Sequence, residues 1–418
     1  MAVEHFHTLK EIMMSYFKNF FKSNVTIMIL SWLFFGIGNA LVRPYFSLYI
    51  KMLGGGDIHI GLINSIGSIF SIILLIPGGY ITDIYGRRKT IVTFTWIIVV
   101  LTFFYAFVPS WEYLLILYSI DSLLHFYVPA LDAIMMDSLP PKARARGTAI
   151  TGVITNIPWF FLPAIGGYLI DIYGVAGIRI SYIFSGFTGV IAAYLRTRFL
   201  RETVDVKKIG RRGSIYRVII NSYAEIPYIL KKIPREVIIY LLYLTLISTP
   251  SIIIFINYGV VYARDFLRIN AGEWGFYESL SNILITIFTL VCLPILDRVS
   301  RKILMAISAI LVFTSYIIFI KASGWEIGLV LTLFNMAGTI YHSAWTAYIA
   351  DYTKRVLRGR IISVSNMLVS IGFSFFGIVL GYIYSQNPIT AVLLSILLSI
   401  IDFLFIVIVI KEPKLREI

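Results

Sequence analysis

Residues 78–89 read GGYITDIYGRRK, and they place Asp83, Arg87, Arg88 and Lys89 between two long apolar runs, with glycines at 79 and 86. Each flanking run holds about 20 residues with few charges, enough at 1.5 Å per residue to cross a hydrocarbon core roughly 30 Å thick. The quoted stretch is therefore read as a short polar turn between two membrane-crossing helices. The rest of the chain obeys the same rule. Of its 418 residues 58% are hydrophobic and only 14% charged, and the mean hydropathy of +0.85 lies well outside the range of soluble domains. The runs are continuously apolar and do not alternate in and out, which excludes a β-barrel and leaves helices.

Twelve spans are predicted, at about 25–50, 59–82, 90–108, 112–137, 146–170, 177–198, 236–263, 273–296, 302–320, 326–351, 361–384 and 390–410. The residues before the first span scatter charges along their length and show no small-residue cleavage site, so they are expected to form an amphipathic helix on the membrane surface. Lys and Arg set the orientation. With the N-terminus in the cytoplasm, Lys51, Arg179, Arg264, Arg268 and Lys321 fall outside and Arg43 lies within the first span. The other 30 of the 36 basic residues are then cytoplasmic. Both termini are accordingly expected in the cytoplasm of a multi-pass cell-membrane protein.

This bias accounts for the net charge of +14 without a nucleic-acid partner. The lone cysteine, Cys292, allows no disulfide framework within one chain. The five histidines are dispersed, the GGGD at 54–57 is a short outer turn, and no nucleophile, base and orienting group come together. An enzyme, a metal site and a cofactor are not expected, and the chain is expected to work as a monomer.

A shift of 214 residues, held without a gap, brings a series of landmarks into register. Gly61 falls on Gly275, Asp83 on Asp297, Trp111 on Trp325, Tyr127 on Tyr341 and Asp137 on Asp351. Arg144 and Arg146 fall on Arg358 and Arg360, and Gly167 on Gly381. Six crossings return the chain to its starting side, so the two copies run in the same direction and are related by an axis along the membrane normal. The predicted organisation is a first bundle over 1–198, a basic cytoplasmic linker with a surface helix over 199–235, and a second bundle over 236–418.

Two parallel six-helix bundles with such a linker resemble the major facilitator superfamily. The opening stretch is similar to that family's loop signature, G-x-x-x-D-x-x-G-R-[RK], through Gly79, Asp83, Gly86, Arg87 and Arg88. A degenerate second copy supplies Asp297, Arg298, Arg301 and Lys302, with Leu293 and Ser300 in place of the glycines. Pro163, Gly166 and Gly167 resemble the P-x-x-G-G of exporting antiporters. Leu162 departs from that signature, and Leu117 stands where drug exporters often carry an arginine. The resemblance implies that Asp83 and Arg87 join Asp137 in a charge cluster that closes the cytoplasmic side in the outward-open state, a latch between the moving halves. Asp297, Arg301 and Asp351 repeat it.

Ionisable groups inside spans cost several kcal/mol unless they meet a partner or water, which makes them the most informative residues. At 100° per residue Asp121, His125 and Asp132 fall at about 0°, 40° and 20°, one stripe about 16 Å long. Asn335, Thr339, His342 and Thr346 occupy the same angular positions in the tenth span, and the family fold would set the two stripes on facing cavity walls. Asn39 and Arg43 are four apart in the first span, and Glu278 and Asn282 in the eighth. Arg43 is read first as a counter-ion to Asp121 or Asp132, second as an anchor for an anionic substrate. Asp402 is read as structural. A conformational change that wets a carboxylate or moves its partner changes its proton affinity, so Asp121, His125 and Asp132 are the candidate proton-coupling groups.

The resulting expectation is a proton-coupled exporter of drug-like or metabolite compounds, working by rocking of its halves around a midplane site. A proton-coupled uptake symporter for a sugar, organic anion or other nutrient would use the same fold. A non-transporting receptor or scaffold is the third reading.

Overall fold

The structure is a computed structural model that describes residues 23–140, 144–204, 220, 223–224, 232–296, 299–353 and 355–412. The expected N-terminal surface helix, most of the linker, and Asp297 lie outside the described residues. Among the described residues, twelve helices are long and apolar enough to cross a membrane. They are α1 (Asn24–Met52), α2 (Asp57–Tyr85), α3 (Arg87–Phe107), α4 (Trp111–Ser138), α5 (Ile150–Tyr173), α6 (Val175–Phe199), α7 (Arg235–Asp265), α8 (Ala271–Leu296), α9 (Arg301–Phe319), α10 (Glu326–Tyr352), α11 (Arg355–Gln386) and α12 (Pro388–Ile408). Their outward faces carry exposed Phe104, Phe107, Tyr113, Leu290 and Ile408, apolar groups that a bilayer would cover.

Four helices are irregular where the sequence gives cause, among them α5, which has a 3₁₀ turn at Ile157–Phe160 around Pro158. In α1 a 3₁₀ turn spans Arg43–Tyr45, where Pro44 cannot donate a backbone hydrogen bond. In α4 a second 3₁₀ turn, His125–Tyr127, precedes Pro129. In α7 a π-helical turn covers Leu244–Ser248, just before Pro250. Within the first six helices α6 packs on α1 and α3, and α2 on α4; within the last six α9 packs on α10 and α12, and α7 on α11 and α12. The halves join through α2 against α11 and α5 against α8.

Those two seams are one design used twice. A Cβ on Gly61 would collide with the Gly377 carbonyl, and one on Gly275 with the Pro163 carbonyl. Residues 61 and 275, and 163 and 377, are partners in the 214-residue repeat. Tyr258 Oη donates to the Asp57 carbonyl at 3.0 Å, and Tyr45 Oη donates to the Pro163 and Ala271 carbonyls. At the same end Lys51 bridges Asp57 at 2.8 Å and Asp265, its repeat partner, at 2.6 Å. Asp171 on α5 accepts from the Ala271 and Gly272 amides at the start of α8, at 3.0 and 2.7 Å. This places a carboxylate at the positive end of a helix dipole.

The opposite end is built differently. Gly86 adopts φ 92°, a left-handed conformation that glycine tolerates, and so turns α2 sharply into α3. Arg87 reaches Asp83 at 2.8 Å and Asp137 at 2.7 Å, while its repeat partner Arg301 reaches Asp351 at 3.4 Å. Arg88 donates to the Leu200 and Thr197 carbonyls at the C-terminal end of α6. Each of these pairs lies within one half, and a Cβ on Gly79 or Gly152 would meet nothing within 4 Å. The Asp83–Arg87–Asp137 cluster expected from the loop signature is present, and in this conformation it ties α2, α3 and α4 to each other within one half.

Candidate functional site

Because the seams hold the Lys51 end and reach only to mid-bundle, where Asn156 Nδ2 donates to Thr286 Oγ1 at 3.0 Å, a cavity of about 950 Å³ lies between the halves. Both walls carry aromatic side chains, Trp32, Phe35, Phe46 and Tyr118 among those of the first half, and they differ in their polar groups. The first half contributes Asn39, Arg43, Asn64, Ser68, Asp121 and His125, and the second half contributes Phe255, Trp274, Phe334 and Phe373, with Glu278, Asn257 and Asn335 among them. Phe255 and Phe334 stack with centroids 4.1 Å apart, and Trp274 lies 6.3 Å from Phe255. The result is a preformed aromatic face.

Asp121 accepts from Tyr105 Oη at 3.1 Å. His125 Nδ1 lies 2.7 Å from the Asp121 carbonyl and 3.4 Å from its carboxylate. A carbonyl only accepts, so Nδ1 carries a hydrogen and Nε2 is the nitrogen left to exchange protons. The second carboxylate oxygen, Oδ1, is buried without a hydrogen bond. Asp121 is thus half-satisfied, beside a histidine whose side chain is 46% exposed.

Asp132 stands apart. The 3₁₀ turn at His125–Tyr127 advances about 120° per residue instead of 100°, which breaks the single stripe drawn through α4. Asp132 is exposed, does not line the cavity, and makes no hydrogen bond or ion pair among the described residues. Arg43 lines the cavity too, but forms no ion pair with Asp121, Asp132 or any other described carboxylate. The counter-ion reading of Arg43 is thus replaced by that of an open guanidinium.

On α10 Asn335 faces the cavity and donates to Ser281 at 3.1 Å. Thr339 and Thr346 instead return their hydroxyls to the Asn335 and His342 carbonyls, and exposed His342 sits edge-on to Trp345. Glu278 lines the cavity, and Asn282 donates to its carbonyl at 2.8 Å. The sequence reading missed Arg196. Its guanidinium is 1% exposed at the cavity's edge, donates to Ser31 and Thr95 at 3.1 and 2.9 Å, and lies over Phe35. Near the end of a span it reads as one more positive-inside residue, so only its burial reveals it.

The profile of the Major Facilitator Superfamily matches residues 28–291 and again 246–417, two overlapping stretches that together take in nearly the whole chain. The chain belongs to the Major Facilitator Superfamily. Members of this superfamily transport; the protein is not an enzyme. Over 389 residues, 88% of this chain and 94% of the relative, it is 24% identical to the "Uncharacterized MFS-type transporter MJ1560" of Methanocaldococcus jannaschii. It is 25% identical over 201 residues to the "Multi-drug resistance efflux pump PmrA" of Streptococcus pneumoniae, a match that covers 47% of this chain and 49% of the pump. Among solved structures the nucleoside transporter NupG aligns with a TM-score of 0.71 at 16% identity, over 92% of this chain and 98% of that one. The inward-open xylose transporter XylE from E. coli aligns with a TM-score of 0.65 at 15% identity, over 93% and 96%. These likenesses carry the superfamily fold.

Proposed function

We propose that this superfamily member is a proton-coupled exporter of amphipathic compounds with an aromatic body. The observation that carries the reading is Asp121, a half-satisfied carboxylate beside His125, set opposite the Phe255–Phe334–Trp274 face in one cavity. Proton binding at Asp121 removes a charge from a partly dry site and alters what that wall attracts. An aromatic body stacks on the opposite wall. The partial likeness to a pump named for multidrug efflux supports the exporting direction. The positive-inside orientation puts the Lys51 end outside, so this conformation opens to the cytoplasm.

Uptake is the second reading, and Arg43 favours it. An open guanidinium is a forked donor suited to a substrate carboxylate or phosphate. The test is a proteoliposome assay with pH gradients of either polarity and a panel of aromatic cations, aromatic anions and neutral sugars. Export predicts that aromatic cations move against the proton gradient, and that Asp121→Asn lowers this flux about tenfold or more, a loss of about 1.4 kcal/mol. Accumulation of an anion with the proton gradient, lost in Arg43→Gln, would replace export by symport. Full gradient-driven flux in Asp121→Asn would remove the coupling assignment.

A further inference from the structure

The last helix of each half, α6 and α12, carries a buried charge, and the two are opposite in sign although the repeat does not pair them, since Arg196 falls on Ile410 and Asp402 on Thr188. In the first half Arg196 of α6 is held by Ser31 of α1 and Thr95 of α3, beside Tyr127 of α4. In the second half Asp402 of α12, 4% exposed, accepts from Tyr243 Oη of α7 at 2.7 Å, with the Ser248 hydroxyl also beside it. Tyr341 of α10, the repeat partner of Tyr127, stands near this carboxylate, and Tyr240 Oη donates to Tyr341 Oη at 3.0 Å. A guanidinium keeps its charge, whereas a carboxylate can lose its own. Of these two charges only that of Asp402 can therefore be switched.

Among the described residues no cation pairs with Asp402, and the groups around it are hydroxyls. From α7 it faces Tyr240, Tyr243 and Ser248, and from α10 Tyr341. On α9 the only charged residues are Arg301, paired with Asp351, and Lys302, whose Nζ donates to the Val407 carbonyl at 2.7 Å. Beyond Arg360, α11 has no charged residue.

Tyr243 and Ser248 bracket the π-helical turn of α7, Leu244–Ser248. The equivalent residues of α1, 30–34, are plain α-helix. A π turn inserts one residue into the helical ladder and occurs often at functional sites. Here Asp402 accepts from the residue before the turn and lies beside its last residue.

We propose that Asp402 is a second proton-binding site, behind the α7 and α10 wall of the cavity, and that its charge holds or releases the π turn of α7. The ionised carboxylate only accepts, so it draws the Tyr243 and Ser248 hydroxyls onto itself. With a proton added, one oxygen becomes a donor, and the bracket around the turn loosens. The proton passes through the hydroxyls of Tyr341 and Tyr243, the second of which donates to Asp402, and it leaves by the same route.

The test needs no transport and so does not depend on the exporter reading. Infrared difference spectra of the full chain in lipid are recorded as pH is stepped over the range in which the protein stays folded. The expected result is a titrating carboxyl C=O band that is absent in Asp402→Asn, returns in Asp402→Glu, and changes frequency in Tyr243→Phe. A wild-type spectrum with no titrating carboxyl band dependent on Asp402 would overturn the proposal. So would a band that Tyr243→Phe leaves unmoved, since the link to α7 would then be absent.

Discussion

The two ends of the bundle carry comparable sets of charges and glycines and use them in opposite ways. At the Lys51 end the charges cross between halves, Lys51 to Asp265 and Asp171 to the start of α8, and the glycines let facing backbones touch. At the Arg87 end the ion pairs among the described residues stay inside each half, and a Cβ on Gly79 or Gly152 would meet nothing within 4 Å. A loop rich in charge is thus not by itself a gate. What closes an end is close backbone approach along α2 against α11 and α5 against α8, and the charges follow that approach.

The largest expected effect comes from filling the closed seam. Gly61→Val or Gly275→Val puts a side chain where a facing carbonyl lies, and overpacking of this kind costs about 1–3 kcal/mol. The closed population at the Lys51 end should fall roughly 5- to 150-fold, read as accessibility of cysteines introduced at that end. Gly79→Val meets no atom in this conformation and should leave its stability within about 0.5 kcal/mol by thermal unfolding. If both substitutions cost the same, the contrast between the ends fails.

Next come the ion pairs. Lys51 joins Asp57 of its own half and Asp265 of the other at partial exposure, 29% against 26% and 36%. A double-mutant cycle of Lys51→Ala and Asp265→Ala should therefore return a coupling of about 0.5–1 kcal/mol in the equilibrium between open and closed ends. Arg87 is 16% exposed, but its partners Asp83 and Asp137 are 46% and 45% exposed. Arg87→Ala should lower thermal stability by about 1 kcal/mol or less without shifting that equilibrium toward opening of the Lys51 end. A large shift there would restore the inter-half latch.

The smallest effect separates the two acids of α4. Asp132→Asn should leave gradient-driven flux within about twofold of wild type while Asp121→Asn does not, because only Asp121 lines the cavity. Equal losses would mean that Asp132 also serves the proton path.

The fold was legible because a bilayer imposes a single length on every apolar run, so twelve spans and a 214-residue repeat could be read directly. The repeat even contains the closed seam, in the pairs Gly61 and Gly275 and Lys51 and Asp265, though nothing in a linear sequence says which end they close in a given conformation. The site was legible in part. Asp121, His125, Arg43, Asn39, Glu278 and Asn335 all line the cavity. The α4 stripe failed as a whole because Pro129 forces a tighter turn upstream of Asp132. The aromatic wall was hidden among many aromatics that face lipid. Arg196 and the Tyr243 bracket depend on which helices lie behind the cavity, a property of packing and not of spacing.

Alternating access requires the two ends to move in opposition around the cavity, and one measurement addresses this most directly. In a Cys292→Ala background, spin-label pairs are placed at Ile58 with Phe266 near the Lys51 end, and at Lys89 with Ile303, all exposed positions. Their distances are followed in lipid as substrate and pH are varied. The prediction is that the first distance lengthens under the same conditions that shorten the second. If both lengthen together, or only one responds, alternating closure of these two ends is contradicted.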